Sequence, residues 1–148
     1  MDTEEWKLKE LRRRANRAGI SIIEAKLIES SKTIKRLSES ADRVLLDVPC
    51  SGLGVLRRNP DTKWKLTPET LEKLKSLQQT LLEKYSQMVK PGGLLVYSTC
   101  SILPSENTEQ VKKFLEGNNN FSLVKETSLL TSETGYDGFY IAVLKRVD

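Results

Sequence analysis

The sequence predicts an α/β domain with a mainly parallel, doubly wound sheet. Two short apolar runs, residues 43–48 and 94–98, each finish on polar residues, as strands of such sheets do. Between them lies a long amphipathic segment of helical period, and the period changes again after Ser105. At 148 residues, with 38% hydrophobic and 30% charged residues, the chain can bury one ordinary core, about 68–70% of its unfolded surface. The balance is not that of a disordered chain.

The elements follow in order. Residues 2–18 place Trp6, Leu8, Leu11, Ala15 and Ala18 mostly at helical spacings, with Arg12, Arg13, Arg14 and Arg17 as a wet face and Gly19 as the stop. Residues 20–25 read as a short strand, and 30–40, with Ile34 and Leu37, as a loop or short helix. The run 43–48 has the continuous apolar character of a strand buried on both faces, with Asp47 at its C-terminal end. A loop with Gly52, Gly54, Arg57, Arg58, Asn59 and Pro60 leads to Thr67, a helix cap, and Pro68, at the first helical position. Leu71, Leu74, Leu77, Leu81 and Leu82 form that helix's buried stripe, continuing through Tyr85, Met88 and Val89 to a stop at Lys90, Pro91, Gly92 and Gly93. Strand 94–98 comes next. Ser105 caps a further helix with Glu106 and Glu109 in its first turn, Val111, Phe114 and Leu115 on its face and Gly117 at its end. Strands 121–124 and 139–144 complete the fold around a polar loop with Gly135, Asp137 and Gly138.

Composition narrows the chemistry. There is no His, which excludes His-based triads and His-ligated metals, and the two cysteines, Cys50 and Cys100, are too few for an all-Cys zinc site or a disulfide framework. Two reduced thiols in a cytoplasmic protein is the expectation, with no metal. No stretch approaches the ~18 apolar residues of a membrane span, and the acidic N-terminus is unlike a signal peptide. The net charge of +4, from 24 Lys and Arg against 20 Asp and Glu, permits contact with phosphates without establishing it. Trp64, Tyr97 and Tyr140 are aromatic candidates for base stacking. In open α/β sheets ligands sit beyond the carboxyl ends of the strands, which brings Asp47, Cys50 and Cys100 together.

Two segments form a pair: 47–54, Asp-Val-Pro-Cys-Ser-Gly-Leu-Gly, with Arg57, Arg58, Asn59, Pro60 and Asp61; and 97–107, Tyr-Ser-Thr-Cys-Ser-Ile-Leu-Pro-Ser-Glu-Asn. They closely resemble the cytosine-5 RNA methyltransferases of the Sun, or Fmu, family. The resemblance continues through Lys63-Trp64, 90–93 and the final Asp-Gly-Phe-Tyr at 137–140. It implies a Rossmann-like methyltransferase fold, S-adenosyl-L-methionine as cofactor and an RNA partner, rRNA or tRNA. In that family a thiolate adds to C6 of cytosine, making C5 nucleophilic toward the methyl donor. By resemblance Cys100 attacks, Cys50 assists release of the product, and Asp47 is the acid facing the ring and lies beside the donor. Pro49, Arg57 and Arg58 match the substrate-facing segment.

The same resemblance exposes what the chain lacks. Family members carry upstream a Gly-rich turn for the donor and an acid for its ribose. No such turn precedes Asp47; Asp2 matches the ribose acid, and a third cofactor position falls at Ile28 or Glu29. Residues 1–148 therefore read as one partial catalytic domain, truncated at the N-terminus, with Met1 as an artificial or alternative start and no activity when alone. Methylation of C5 of cytosine in RNA through a covalent cysteine adduct is the expected function, with this chain as the cytosine-handling part. A noncatalytic RNA-binding or interaction module with the same fold is the alternative, and a DNA cytosine methyltransferase a third. Missing strands would leave the edge of 44–47 unpaired, inviting self-association or pairing with 20–25.

Overall fold

The computed structural model describes residues 1–147. They form two units, residues 1–37 and residues 38 onward.

In the first unit, helix α1 (Glu5–Arg17) buries Leu8 and Ala15. It ends where Gly19 takes φ +67°, a conformation that costs glycine little. Glu10 pairs with Arg13 and Arg14 one turn on, and the arginine face is solvent-exposed, as expected. The strand expected over 20–25 does not form, and Ile22 is 93% exposed. A strand needs a ladder partner. Among the described residues the bridge formed in this stretch is a parallel one to Asp2 that falls further on, at Leu27, through Asp2 N–H to the Lys26 carbonyl and Ile28 N–H to the Asp2 carbonyl. Helix α2 (Ser31–Lys35) follows with Ile34 buried.

The second unit is built on one sheet. Strands β1 (Ala41–Asp47), β2 (Val89–Thr99), β3 (Phe121–Leu129) and β4 (Phe139–Arg146) lie in the order β1-β2-β4-β3. β1 and β2 are parallel, while β4 runs antiparallel to both β2 and β3. Three strands thus share a direction and only β4 is reversed, which bears out the α/β class. The reversal follows from the connections. β1 reaches β2 and β2 reaches β3 through helices α4 (Pro68–Ser86) and α5 (Thr108–Gly117), whereas β3 returns to β4 across a short loop, a hairpin that can only be antiparallel.

Helix α4 packs on β1 and β2, and α5 on β3. The covered face carries Val44, Leu46, Leu95, Tyr97, Tyr140, Ala142 and Leu144, all buried, with the Tyr97 and Tyr140 rings edge-on at 6.3 Å. On the opposite face Leu45 is 68% exposed. β1 therefore alternates instead of burying both faces, and its outer edge pairs with no described strand; pairing with 20–25 is not realised.

Thr67 caps α4 by accepting from Thr70 N–H, with Pro68 at the first position, as predicted. The helix stops at Ser86 rather than Val89, however, and 90–93 is no helix stop but a bulge within β2. Ala41 pairs with Val89 and Arg43 with Leu94, so the intervening residues loop out of register, with Gly92 at φ +76°. The buried stripe also differs, since Gln78 and Gln79 are buried while Leu77 is exposed. Gln79 spends its amide on Gln110, and Gln78 on the site described next. Ser105 does not cap α5. Residues Pro104–Glu106 form a 3-10 turn before it, which turns Glu106 inward. Short helices α3 (Thr62–Lys65) and α6 (Thr131–Thr134) occupy the two loops read as irregular. No described helix is long and apolar enough to cross a membrane.

Candidate active site

The register Asp47↔Ser98 aligns the ends of β1 and β2, and Val48 N–H to the Ser98 carbonyl extends the ladder one residue further. Each chain then turns away through a Cys-Ser pair. The consequence is that Cys50 Sγ and Cys100 Sγ lie 3.1 Å apart, both half-buried. Their chemistry is unequal. The Cys50 thiol, donating to Cys100, lowers the Cys100 thiol to about 7 against the opposing effects of burial and the Asp47 and Glu106 carboxylates. The same bond, with burial, pushes Cys50 far above the usual thiol range. This arrangement favours ionisation at Cys100, with Cys50 as the S–H donor to it. Asp47 is exposed, its carboxylate hydrogen-bonded to no other described residue.

Beneath the sulfurs lies a polar layer that sequence reasoning missed. Glu106, fully buried, accepts from Ser51 N–H (2.8 Å), Ser51 Oγ (2.5 Å), Ser101 Oγ (2.5 Å) and Gln78 Nε2 (3.0 Å). Gln78 also donates to the Pro49 carbonyl at 2.9 Å. Tyr97 donates its hydroxyl to the Glu106 carbonyl, and Asn107 accepts from Thr99 Oγ1 and donates to the Ser101 carbonyl. Tyr97 and Tyr140, thus buried, are unavailable for base stacking, while Trp64 stays 80% exposed with Lys63 Nζ 5.0 Å over its ring. The signal for this layer is the repeated Cys-Ser, whereas the spacing of Glu106 from Ser105 points only to a helix's first turn.

Gly54 locks three loops together. Its N–H donates to the Cys100 carbonyl (2.9 Å), and its carbonyl accepts from Gly138 N–H (2.7 Å). The 135–138 loop is further tied by Arg57 to the Gly135 carbonyl and by an Arg58–Asp137 ion pair. Both arginines are exposed yet already partnered, and Pro49 is exposed beside Cys50. Asp2 and Glu29 belong to the first unit. Asp2 accepts from Glu4 N–H and faces Lys7, and Glu29 is exposed. Among the described residues no group of three or more His, Cys, Asp or Glu side chains could hold a metal ion.

A family model described as 16S rRNA methyltransferase RsmB/F matches residues 1–145. The chain belongs to that family. Among relatives of the RsmB/F chain, a probable ribosomal RNA small subunit methyltransferase B of Synechocystis is 40% identical, aligned over 98% of this chain and 36% of its own length. One from Bacillus subtilis is 33% identical, over 99% and 37% respectively. The chain thus spans little more than a third of these relatives. The solved structure of PH0851 superimposes with TM-score 0.89 at 31% identity, over 98% of this chain and 36% of that one. That of NSun6 from Pyrococcus horikoshii with SFG gives TM-score 0.85 at 24% identity, 99% and 40% covered, a likeness of fold. The resemblance drawn from the two cysteine segments and the Rossmann-like fold class are both borne out, and family membership supports S-adenosyl-L-methionine as cofactor.

Proposed function

We propose that this chain is the cytosine-handling part of an enzyme that methylates C5 of cytosine in RNA, 16S rRNA by the family's description. The observation that supports it is the 3.1 Å Cys50–Cys100 pair at the strand ends beside Asp47, with Cys100 as the ionised partner. The Cys100 thiolate adds to C6 of the base, the ring electrons move toward N3, and Asp47, entering this step as the protonated acid, gives its proton to the charge developing there and becomes the carboxylate. When bound, the donor supplies the methyl that C5 takes up. Loss of the C5 proton to solvent water, with return of the N3 proton to the Asp47 carboxylate, then re-forms the ring double bonds and expels the Cys100 thiolate. Cys50, as an S–H donor within hydrogen-bond distance of that sulfur, favours the expelled thiolate over the adduct, which suits it to product release. Pro49, exposed next to Cys50, borders the base; Arg57 and Arg58 hold the 135–138 loop at the rim and present their remaining N–H groups to phosphates.

The donor fits this chain only in part. By the resemblance Asp47, and separately Asp2 and Glu29 of the first unit, are the carboxylates suited to the donor's hydroxyl and cationic groups, but no Gly-rich strand-to-helix turn whose amides could seat the rest precedes Asp47. Titration calorimetry of the 148-residue chain with S-adenosylmethionine should therefore show no heat of binding. A micromolar affinity, about −8 kcal/mol, would mean that the pocket is assembled from other residues. The function itself is tested by incubating the full-length enzyme, donor and 16S rRNA, then digesting the RNA to nucleosides for mass spectrometry. 5-Methylcytidine is the expected product; methylation at another atom, or none, contradicts the proposal.

A further inference from the structure

We propose that Glu106 is a positioning residue for the thiol pair: its buried carboxylate gathers the two serines that follow the two cysteines and so fixes the distance between Cys50 and Cys100. The inference rests on the proposed reading of Cys100 as the attacking thiol and deepens it. A carboxylate with no solvent exposure is costly to bury, and among the described residues no Lys or Arg forms an ion pair with Glu106. Its compensation is four donors, and all four belong to the cysteine turns or to the side chain that supports them. Ser51 gives its N–H and its hydroxyl, Ser101 its hydroxyl, and Gln78 an amide whose other contact is the Pro49 carbonyl, one residue before Cys50.

The two turns are built alike. Leu53 N–H donates to Ser51 Oγ and Leu103 N–H to Ser101 Oγ, each two residues on, and both hydroxyls then converge on Glu106 Oε2 while lying 3.2 Å from each other. Any apolar plug could fill the space; only an acceptor shared by both serines ties one cysteine turn to the other. Glu106 cannot be acting on Cys100 by its charge, because a nearby anion opposes the thiolate. Cys100 is faced by Cys50 from the loop after β1, Asp47 from the end of β1 and Glu106 from the turn after β2, and Cys50 is faced by Tyr97 from β2. Of these, Cys50 favours the ionised form of Cys100, and the two carboxylates disfavour it. What Glu106 contributes is the geometry that keeps Cys50 in place.

This gives the test a sign. In the 148-residue chain, the rate of iodoacetamide modification at Cys100, separated from Cys50 by peptide mass mapping, is followed against pH. The wild-type midpoint should lie near 7. Glu106→Ala removes an opposing charge, which by itself would lower the midpoint; release of the thiol pair raises it instead, toward the ordinary thiol value near 8.5, about a fifteenfold slower reaction at pH 7. Glu106→Gln, whose amide keeps the shape and can bond both hydroxyls once they rotate, keeps the thiol pair while removing the opposing charge, so its midpoint should lie at or below the wild-type one, never above it. A midpoint that stays or falls in Glu106→Ala overturns the inference. Should that variant lack a folded circular-dichroism spectrum, Ser101→Ala, which deletes one hydroxyl, is expected to raise the midpoint in the same direction, and no rise overturns the inference equally. A wild-type midpoint already near 8.5 overturns the thiol pairing itself, and with it both this inference and the proposed roles of the cysteines.

Discussion

Replacing Cys100 by Ala in the full-length enzyme should abolish RNA methylation, by at least about a thousandfold, and abolish covalent capture of the RNA with it. C5 of cytosine is a poor nucleophile until C6 carries an adduct, and no other described thiol is ionised beside Asp47. Cys50→Ala should behave differently. Attack becomes about fifteenfold slower near pH 7, because the S–H donor that holds the Cys100 thiol near 7 is gone and its ionisation returns toward the ordinary value. Methyl transfer still follows. Elimination loses the group that stabilises the departing thiolate, so a protein–RNA species resistant to denaturing electrophoresis should accumulate, whereas wild type shows little. Adduct accumulating with Cys100→Ala instead would exchange the two roles, and unchanged methylation in both variants would make the cysteines packing residues.

Gly54→Ala should be the most damaging single methyl group in this chain. A Cβ at that position would stand 2.1 Å from the Gly138 carbonyl oxygen, 2.7 Å from its carbon and 2.9 Å from the Cys100 carbonyl oxygen. All three are backbone atoms of loops held by hydrogen bonds to Gly54 itself, so none can swing aside as a side-chain end could. The clash can be relieved only by parting the loops, which breaks the Gly54–Cys100 and Gly138–Gly54 bonds together. A loss of more than about 3 kcal/mol is expected, or roughly 6–12 °C in Tm for a domain of this size. Thermal denaturation followed by circular dichroism measures it. A shift under about 2 °C would show that the three loops are not locked through this contact. Gly117→Ala, where a Cβ meets nothing within 4 Å, is the control and should not lower Tm.

How much of this was legible in the sequence depends on whether the signal was local. The two strands carrying the cysteines could be read from apolar runs ending in polar residues, and their convergence from the rule that places ligands beyond parallel strand ends. Thr67 and Pro68 marked a helix start through their own backbone chemistry. What failed depended on partners distant in the chain. Residues 20–25 have strand composition but no neighbour to pair with, and the bridge moved to Leu27 because Asp2 lies there. Lys90-Pro91-Gly92-Gly93 looks like a helix stop by composition, yet it is a bulge forced by the register of β1 against β2. Glu106 fits a first-turn acid by spacing, and only the folded chain shows that its oxygens meet Ser51 and Ser101. Gln78 and Gln79 broke the leucine stripe for the same reason, being buried polar groups whose acceptors come from other elements.

The central claim is that Cys100, held as a thiolate by Cys50, is the residue that bonds to the base. The most direct measurement is to offer the full-length enzyme, with donor, an RNA in which cytosine carries fluorine at C5. Fluorine cannot leave as a proton does, so the reaction halts with the protein still attached through sulfur to C6. Digestion and peptide mass mapping then read which cysteine carries the nucleotide. The account predicts the peptide containing Cys100, with Cys50 unmodified. A nucleotide on Cys50, or no covalent species at all under conditions that methylate ordinary RNA, would contradict it.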